Sequence, residues 1–165
     1  MNVLKFGGSS VANTATIEKV ITIIEKQSEN QPLYVVVSAL GGITDLLIKA
    51  GNEASSNNEK YKNTLAIIET RHLDVIKELI PVVSQSAIIS KVKSELNKLE
   101  SLCEGVFLLS ELSPKTESVI TSFGEMLSSF IITEAAKVRE LDIVLKDARD
   151  YIICLLYTSP SPRDA

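Results

Sequence analysis

Met1-Asn2-Val3-Leu4-Lys5-Phe6-Gly7-Gly8-Ser9-Ser10 places a lysine and two glycines where an apolar strand opens into a loop. Val3 to Phe6 is short and apolar, which suits a strand buried in a parallel sheet. The lysine precedes the glycines, so the segment lacks the spacing of a Walker loop. It is suited to phosphate in another way. Adjacent glycines let backbone N–H groups approach phosphate oxygens, and a lysine at the strand end supplies positive charge. Taken alone, Lys-x-Gly-Gly reads better as a glycine turn with a solvated lysine.

Working outward, Leu33 to Val37 is a second apolar, β-branched run and Leu141 to Leu145 a third, each flanked by helical patterns. All three are expected to be strands buried on both faces. Ile17, Val20, Ile21 and Ile24 recur at helical spacing between the first two, with Asn13 as a cap, which makes one βαβ unit. Thr44 is expected to cap a helix carrying Leu46, Leu47 and Ile48, fading into Ser55-Ser56-Asn57-Asn58. Tyr61, Leu65, Ile68, His72, Val75 and Leu79 form one stripe, stopped by Pro81. Ile89, Val92, Leu96, Leu99 and Cys103 form another, and the two helices are expected to pair as a hairpin beside the sheet. Ser113-Pro114 reads as a cap and first helical position. The pattern after it runs from Val119 to Ala135 with Gly124 inside, where a close approach or break is expected.

The chain has 165 residues, 45% hydrophobic content, a mean hydropathy of +0.18 and a formal charge of −4. That is enough apolar material for a one-domain core. Mixed charge without a basic stripe argues against nucleic acid and anionic membrane as partners. The start shows no secretory signal, and no transmembrane-length apolar run occurs. Two cysteines, Cys103 and Cys154, are too few for a disulfide framework or metal cluster and point to the reducing cytoplasm.

Residues 154–165, Cys-Leu-Leu-Tyr-Thr-Ser-Pro-Ser-Pro-Arg-Asp-Ala, break with the preceding composition. They repeat one reading frame of a common transposase-type sequencing adapter. This stretch is therefore expected to be a non-native, disordered tail, with the natural sequence continuing past about Ile153.

Two further blocks carry chemistry. Val35-Val36-Val37-Ser38-Ala39-Leu40-Gly41-Gly42-Ile43-Thr44 puts Ser38 at a strand's carboxyl end, where ligands of open α/β sheets bind. Its hydroxyls and free N–H groups suit a carboxylate or phosphate, though alone Ser38 and Thr44 are ordinary turn and cap residues. Thr121-Ser122-Phe123-Gly124-Glu125 puts an acid inside an apolar helix, where burial needs a cationic partner such as a ligand ammonium. The plain reading is a glutamate on an exposed face, but Met126, Leu127 and Phe130 favour burial. His72 lies on an apolar stripe and reads as a packed structural histidine; Cys103 reads as core. Asp147-Ala148-Arg149-Asp150 reads as a solvated loop, and Ser90 to Glu100 as a solvent face with charge pairs.

Together, and in this order, the three blocks closely resemble the amino-terminal part of aspartate kinases, members of the amino-acid kinase family. The resemblance implies a three-layer α/β/α sandwich of the carbamate kinase-like type around a mainly parallel sheet. Residues 1–153 would be its amino-terminal, substrate-binding portion. It implies transfer of the ATP γ-phosphoryl to the side-chain carboxylate of L-aspartate, the first step toward lysine, threonine and methionine. Lys5 would be catalytic; Lys5, Gly7, Gly8 and Ser9 would bind ATP phosphates; Ser38, Gly41, Thr44 and Glu125 would bind aspartate, Glu125 through its α-ammonium. Magnesium would arrive with ATP, without a dedicated protein metal site. The opening is also similar to bifunctional aspartokinase/homoserine dehydrogenase proteins.

The resemblance implies a homo-oligomeric full-length protein, inactivity of this segment alone, and an acidic and basic cluster near the mouth of the site at Asp147–Asp150. Asp45 departs from the asparagine common in the family and would weaken anion binding if it pointed inward. Two rivals stay open. One is a kinase of the same fold with another acceptor, such as acetylglutamate or a nucleotide; the other is a noncatalytic binding or regulatory module.

Overall fold

A computed structural model describes residues 2–29 and 31–150. The expected tail at 154–165 lies outside them. Strand β1 (Asn2–Phe6) leads through the glycine loop to helix α1 (Thr14–Ser28) and back to strand β2 (Leu33–Val37). The strands pair in parallel, with Lys5 opposite Val36 and Phe6 opposite Val37. Four helices follow: α2 (Ile43–Ser55), α3 (Lys60–Leu79), α4 (Val82–Leu109) and α5 (Pro114–Val138), with a short 3-10 turn at Ala148–Asp150.

Local chemistry sets the helix ends. Asn13 caps α1 through a reciprocal pair: its side chain accepts from Thr16 N–H at 3.0 Å, and Thr16 Oγ1 accepts from Asn13 N–H at 3.2 Å. Ser113 Oγ accepts from Thr116 N–H at 3.2 Å, with Pro114 in the first turn, as its sequence predicts. At α2 the expectation fails. Gly42, at φ 75°, is the N-cap and no side chain caps the helix; Thr44 lies inside the first turn. The left-handed backbone that turns the chain into α2 favours glycine, so the cap position falls two residues before Thr44.

The strands are not buried on both faces. Leu4, Phe6, Val35 and Val37 face the helices, whereas Val3 is 62% exposed and Tyr34 and Val36 are likewise open. Helices α1 and α5 cover one face of β2, and no described element covers the other. The predicted third strand is also absent among the described residues: 141–147 carry no ladder pairing. Leu141 and Ile143 pack on the core, so the apolar alternation is genuine, but strand propensity makes a strand only beside a partner's N–H and C=O groups.

Helices α3 and α4 pair as expected, but they pack on α2 and α5 rather than directly on the sheet. Their seams shift slightly. On α3 the buried set includes Thr64 and Ile76, with Leu65 and Leu79 half-buried; on α4 it begins at Ile88 rather than Ile89 and runs to Val106. Between the layers Ile17, Ile21, Leu40, Ile43, Leu47, Ile120, Leu127 and Ile131 are almost completely buried.

Candidate functional site at the carboxyl edge of the sheet

Parallel pairing puts the carboxyl ends of β1 and β2 at one edge, so their two following loops meet. Ser38 N–H donates to Phe6 O at 3.0 Å and carries the pairing one residue past β2. Ser10 N–H donates to Gly7 O at 2.9 Å and closes a tight turn, while Gly8 and Ser9 N–H find no acceptor among the described residues. A Cβ at Gly7 would meet nothing within 4 Å, and at Gly8 only Ala39 O at 3.7 Å. Neither glycine has a positive φ. Fold and packing therefore do not demand glycine here, and its effect is to leave the free N–H groups open to an approaching ligand.

Gly41 is different. A Cβ there would stand 2.9 Å from Ala12 Cβ and 3.6 Å from Gly8 O, so the two loops are in contact. Gly124 shows the same tightness from the other side. A Cβ there would stand 2.8 Å from Ala39 Cβ and 3.2 Å from Leu47 Cδ1. The expected alternative of close approach or break resolves as close approach, and α5 runs through unbroken.

This approach delivers Glu125 to the edge. Its Oε1 accepts from Ala39 N–H at 3.4 Å, a long hydrogen bond. The expectation of a buried carboxylate is not met, because Glu125 is exposed while Phe123, Gly124, Leu127 and Ser128 take the buried positions of α5. The helical turn that sinks those four aims Glu125 toward the strand ends. It needs no cation to offset burial, and its free oxygen remains open to one.

The structure thus gathers Gly8, Gly41, Ala39 and Glu125, with Ser38 and Thr44 half-buried in the adjoining loop and helix turn. The Ser38 and Thr44 hydroxyls make no hydrogen bond among the described residues. Lys5 is placed otherwise. It stands on the open face beside Val36, exposed, and no hydrogen bond or ion pair among the described residues joins it to Ser9, Ser38, Thr44 or Glu125.

Sequence reading passed over Ala12, Ala39 and Arg71. The first two are the small residues against which the glycines pack. Arg71, half-buried on α3, brings Nη1 to 3.5 Å from where a Gly42 Cβ would stand. Nothing in the α3 pattern marks it, since its neighbour is a residue distant in sequence.

Asp45 is exposed in the first turn of α2 and lines an open groove with Ile48, Lys49 and Asn52. A second open groove follows α4 at Ser86, Ile89 and Lys93; neither contains Lys5, Ser38 or Glu125. His72 is fully buried, with Nδ1 2.7 Å from Ile68 O and Nε2 unpartnered among the described residues. Burial pushes its pKa below the ordinary 6.5. Arg149 clasps Asp147, Nη2 to Oδ2 at 2.6 Å and Nε to Oδ1 at 3.0 Å, and this holds the Asp147 carboxyl below its usual range. Arg149 Nη2 also lies 3.8 Å from Met126 Sδ, so this exposed pair sits beside the residue next to Glu125.

Residues 1–161 match the profile of the amino acid kinase family. Among curated proteins, the chain is 34% identical over 148 residues to aspartokinase 1, chloroplastic, of Arabidopsis thaliana, covering 85% of this chain and 25% of that protein. It is 31% identical to the aspartokinase of Chlamydia pneumoniae (92% and 30% covered). It is 29% identical to the bifunctional aspartokinase/homoserine dehydrogenase of Buchnera aphidicola (88% and 18%). Among solved structures, E. coli aspartokinase III in complex with aspartate and ADP superposes with a TM-score of 0.74 at 26% identity, covering 86% of this chain and 30% of that one. The chain thus spans less than a third of these relatives.

Proposed function

We infer the chemistry of this site from one premise: the chain belongs to the amino acid kinase family. We propose that it forms the amino-terminal, acceptor-binding part of an aspartate kinase, with residues 1–153 native and 154–165 foreign. One observation carries the choice of acceptor. The Glu125 carboxylate is steered to the carboxyl edge of the sheet by the Gly124–Ala39 contact and tethered on one oxygen by Ala39 N–H. A carboxylate so placed, at the loop that also carries Ser38 and leads to Thr44, suits a ligand bearing an ammonium group and an anionic group.

In this reading a side-chain carboxylate oxygen of aspartate attacks the γ-phosphorus of ATP, the bond to the β,γ-bridging oxygen breaks, and ADP leaves with those electrons. The acceptor is already ionised, so no general base is needed, which agrees with His72 lying buried in the core. Glu125 holds the α-ammonium; Ser38, Gly41 and Thr44 orient the acceptor. Gly7, Gly8 and Ser9 meet phosphate oxygens. Lys5 must swing from the open face toward the loop to neutralise the transferring group. Magnesium accompanies ATP in this reaction class. Among the described residues no cluster of three His, Cys, Asp or Glu side chains could hold it, and no step here runs through it.

Because the chain spans less than a third of these relatives, we propose that turnover requires sequence beyond this segment. No described helix is long and apolar enough to cross a membrane, and the buried free thiol of Cys103 fits a reducing compartment, which we take to be the cytoplasm.

Glu125→Gln in the full-length enzyme tests the assignment. Charge-assisted hydrogen bonds contribute about 1.5–3 kcal/mol, so kcat/KM for aspartate should fall roughly tenfold to hundredfold, with ATP binding little changed. An aspartate analogue lacking the α-amino group should erase the difference between wild type and variant. Equal losses on both substrates would remove Glu125 from ammonium recognition.

A further inference from the structure

Building on the aspartate kinase reading of this site, we propose that Ala12 is a positioning residue: its methyl group sets the distance between the loop that meets phosphate and the loop that meets the acceptor. A Cβ at Gly41 would stand 2.9 Å from Ala12 Cβ and 3.1 Å from Ala12 Cα, so the methyl of Ala12 occupies the space beside the bare Cα of Gly41. Both partners are pinned. Ala12 follows Val11, which is fully buried, and precedes Asn13, the cap that fixes the start of α1. Gly41 follows Leu40, which is 2% exposed and whose carbonyl accepts from Ile43 N–H at 2.9 Å.

Neither residue has a side-chain torsion. An increase in size at this contact cannot be absorbed by choosing another rotamer, so the backbones of the two loops must move apart, while a decrease removes the group that holds them at their distance. The loops carry different reactants. Gly8 and Ser9, with free N–H groups, lie on one; Ser38 and Gly41 lie on the other, with Thr44 just beyond. In-line transfer depends on reacting atoms being held about 3–3.5 Å apart, and a misplacement near 1 Å lowers rate on the order of a hundredfold. A contact that spaces the two loops therefore acts on turnover more than on the binding of either reactant.

The test uses three variants of the full-length enzyme: Gly41→Ala, Ala12→Gly, and the double variant that exchanges the methyl across the contact. Gly41→Ala should lower kcat about 10- to 100-fold. Dissociation constants for ADP and for aspartate, measured separately by calorimetry on Ala12→Gly, should stay within about threefold, because Ala12 itself meets neither reactant in this reading. The exchange should restore at least half of the lost rate on a logarithmic scale, since the methyl–methyl overlap is gone and the tightest contact left is 3.1 Å, to the Cα of residue 12, with Gly8 O at an ordinary 3.6 Å. Should Gly41→Ala fail to fold, Ala12→Gly, which only removes atoms, should show the lowered kcat in a folded protein.

A double variant as impaired as Gly41→Ala, a loss confined to aspartate affinity in Ala12→Gly, or unchanged kcat in the folded single variants would each overturn the role of Ala12. A wild-type enzyme without aspartate-dependent ATP consumption would overturn the kinase reading instead.

Discussion

Gly124 of α5 packs so closely on Ala39 that a methyl added at Gly124 would stand 2.8 Å from the Ala39 Cβ. This contact joins the helix carrying Glu125 to the loop whose N–H holds that carboxylate, so packing and the placement of Glu125 depend on the same meeting of helix and loop.

Gly124→Ala should therefore destabilise the protein although alanine is the better helix former. Propensity gains about 1 kcal/mol, while overpacking against a short, backbone-fixed group costs about 1–3 kcal/mol. Urea unfolding should show a lower midpoint, and adding Ala39→Gly should recover part of it. A midpoint above wild type would mean that the helix relaxes away from the loop freely.

Lys5→Ala should separate catalysis from folding. Lys5 is exposed and has no partner among the described residues, so stability should change by less than about 0.5 kcal/mol. In the proposed role Lys5 swings to meet developing charge and acts mainly in the transition state, so kcat should fall on the order of 100- to 1,000-fold with aspartate KM nearly unchanged. Steady-state kinetics of the full-length enzyme decide it; near-normal kcat would remove Lys5 from the reaction.

Acid should weaken the fold through His72. Its folded pKa lies below 6.5 because burial disfavours the imidazolium and the nearby Arg71 charge adds to this, outweighing the hydrogen bond to Ile68 O. As pH falls through about 6.5, the ordinary imidazole value, the unfolded chain takes up the proton first. Stability is thus full above that pH and declines below it until the folded pKa is reached, by at most about 1.4 kcal/mol per pH unit. Urea midpoints at pH 7.5 and 5.5 should differ less in His72→Gln, which keeps a donor for Ile68 O and cannot titrate. An undiminished difference would assign the acid sensitivity elsewhere.

The Cys103 thiol should be inert in the native protein. Burial raises its pKa to about 11, so at pH 8 only about one molecule in a thousand is thiolate, and the sulfur is shielded. Iodoacetamide at pH 8 should leave the Cys103 peptide unmodified by mass spectrometry, and should label it rapidly in 8 M urea. Rapid native labelling would place Cys103 outside the core.

Much of the fold was legible in local signals. Asn13 and Ser113 are caps because short polar side chains there satisfy free N–H groups, a property of a few neighbouring residues. The seams of α1, α3 and α4 follow from 3.6-residue periodicity, with shifts of one residue or so such as Ile88 for Ile89. The glycine loop, Ser38, Thr44 and Glu125 were likewise recognisable as a group from their order along the chain.

Tertiary structure decided the rest. Whether Leu141 to Leu145 forms a strand depends on a neighbouring strand, and whether Val36 is buried depends on which helices cover the sheet; neither is a property of those residues. Sequence placed Glu125 inside an apolar helix, but only the rotation of α5 about the Gly124–Ala39 contact made it an exposed carboxylate aimed at the strand ends. Ala12 and Gly41 carry no chemical signal of their own. Their relation exists because parallel pairing of β1 and β2 brings two loops, 29 residues apart in the chain, to within a methyl group of each other.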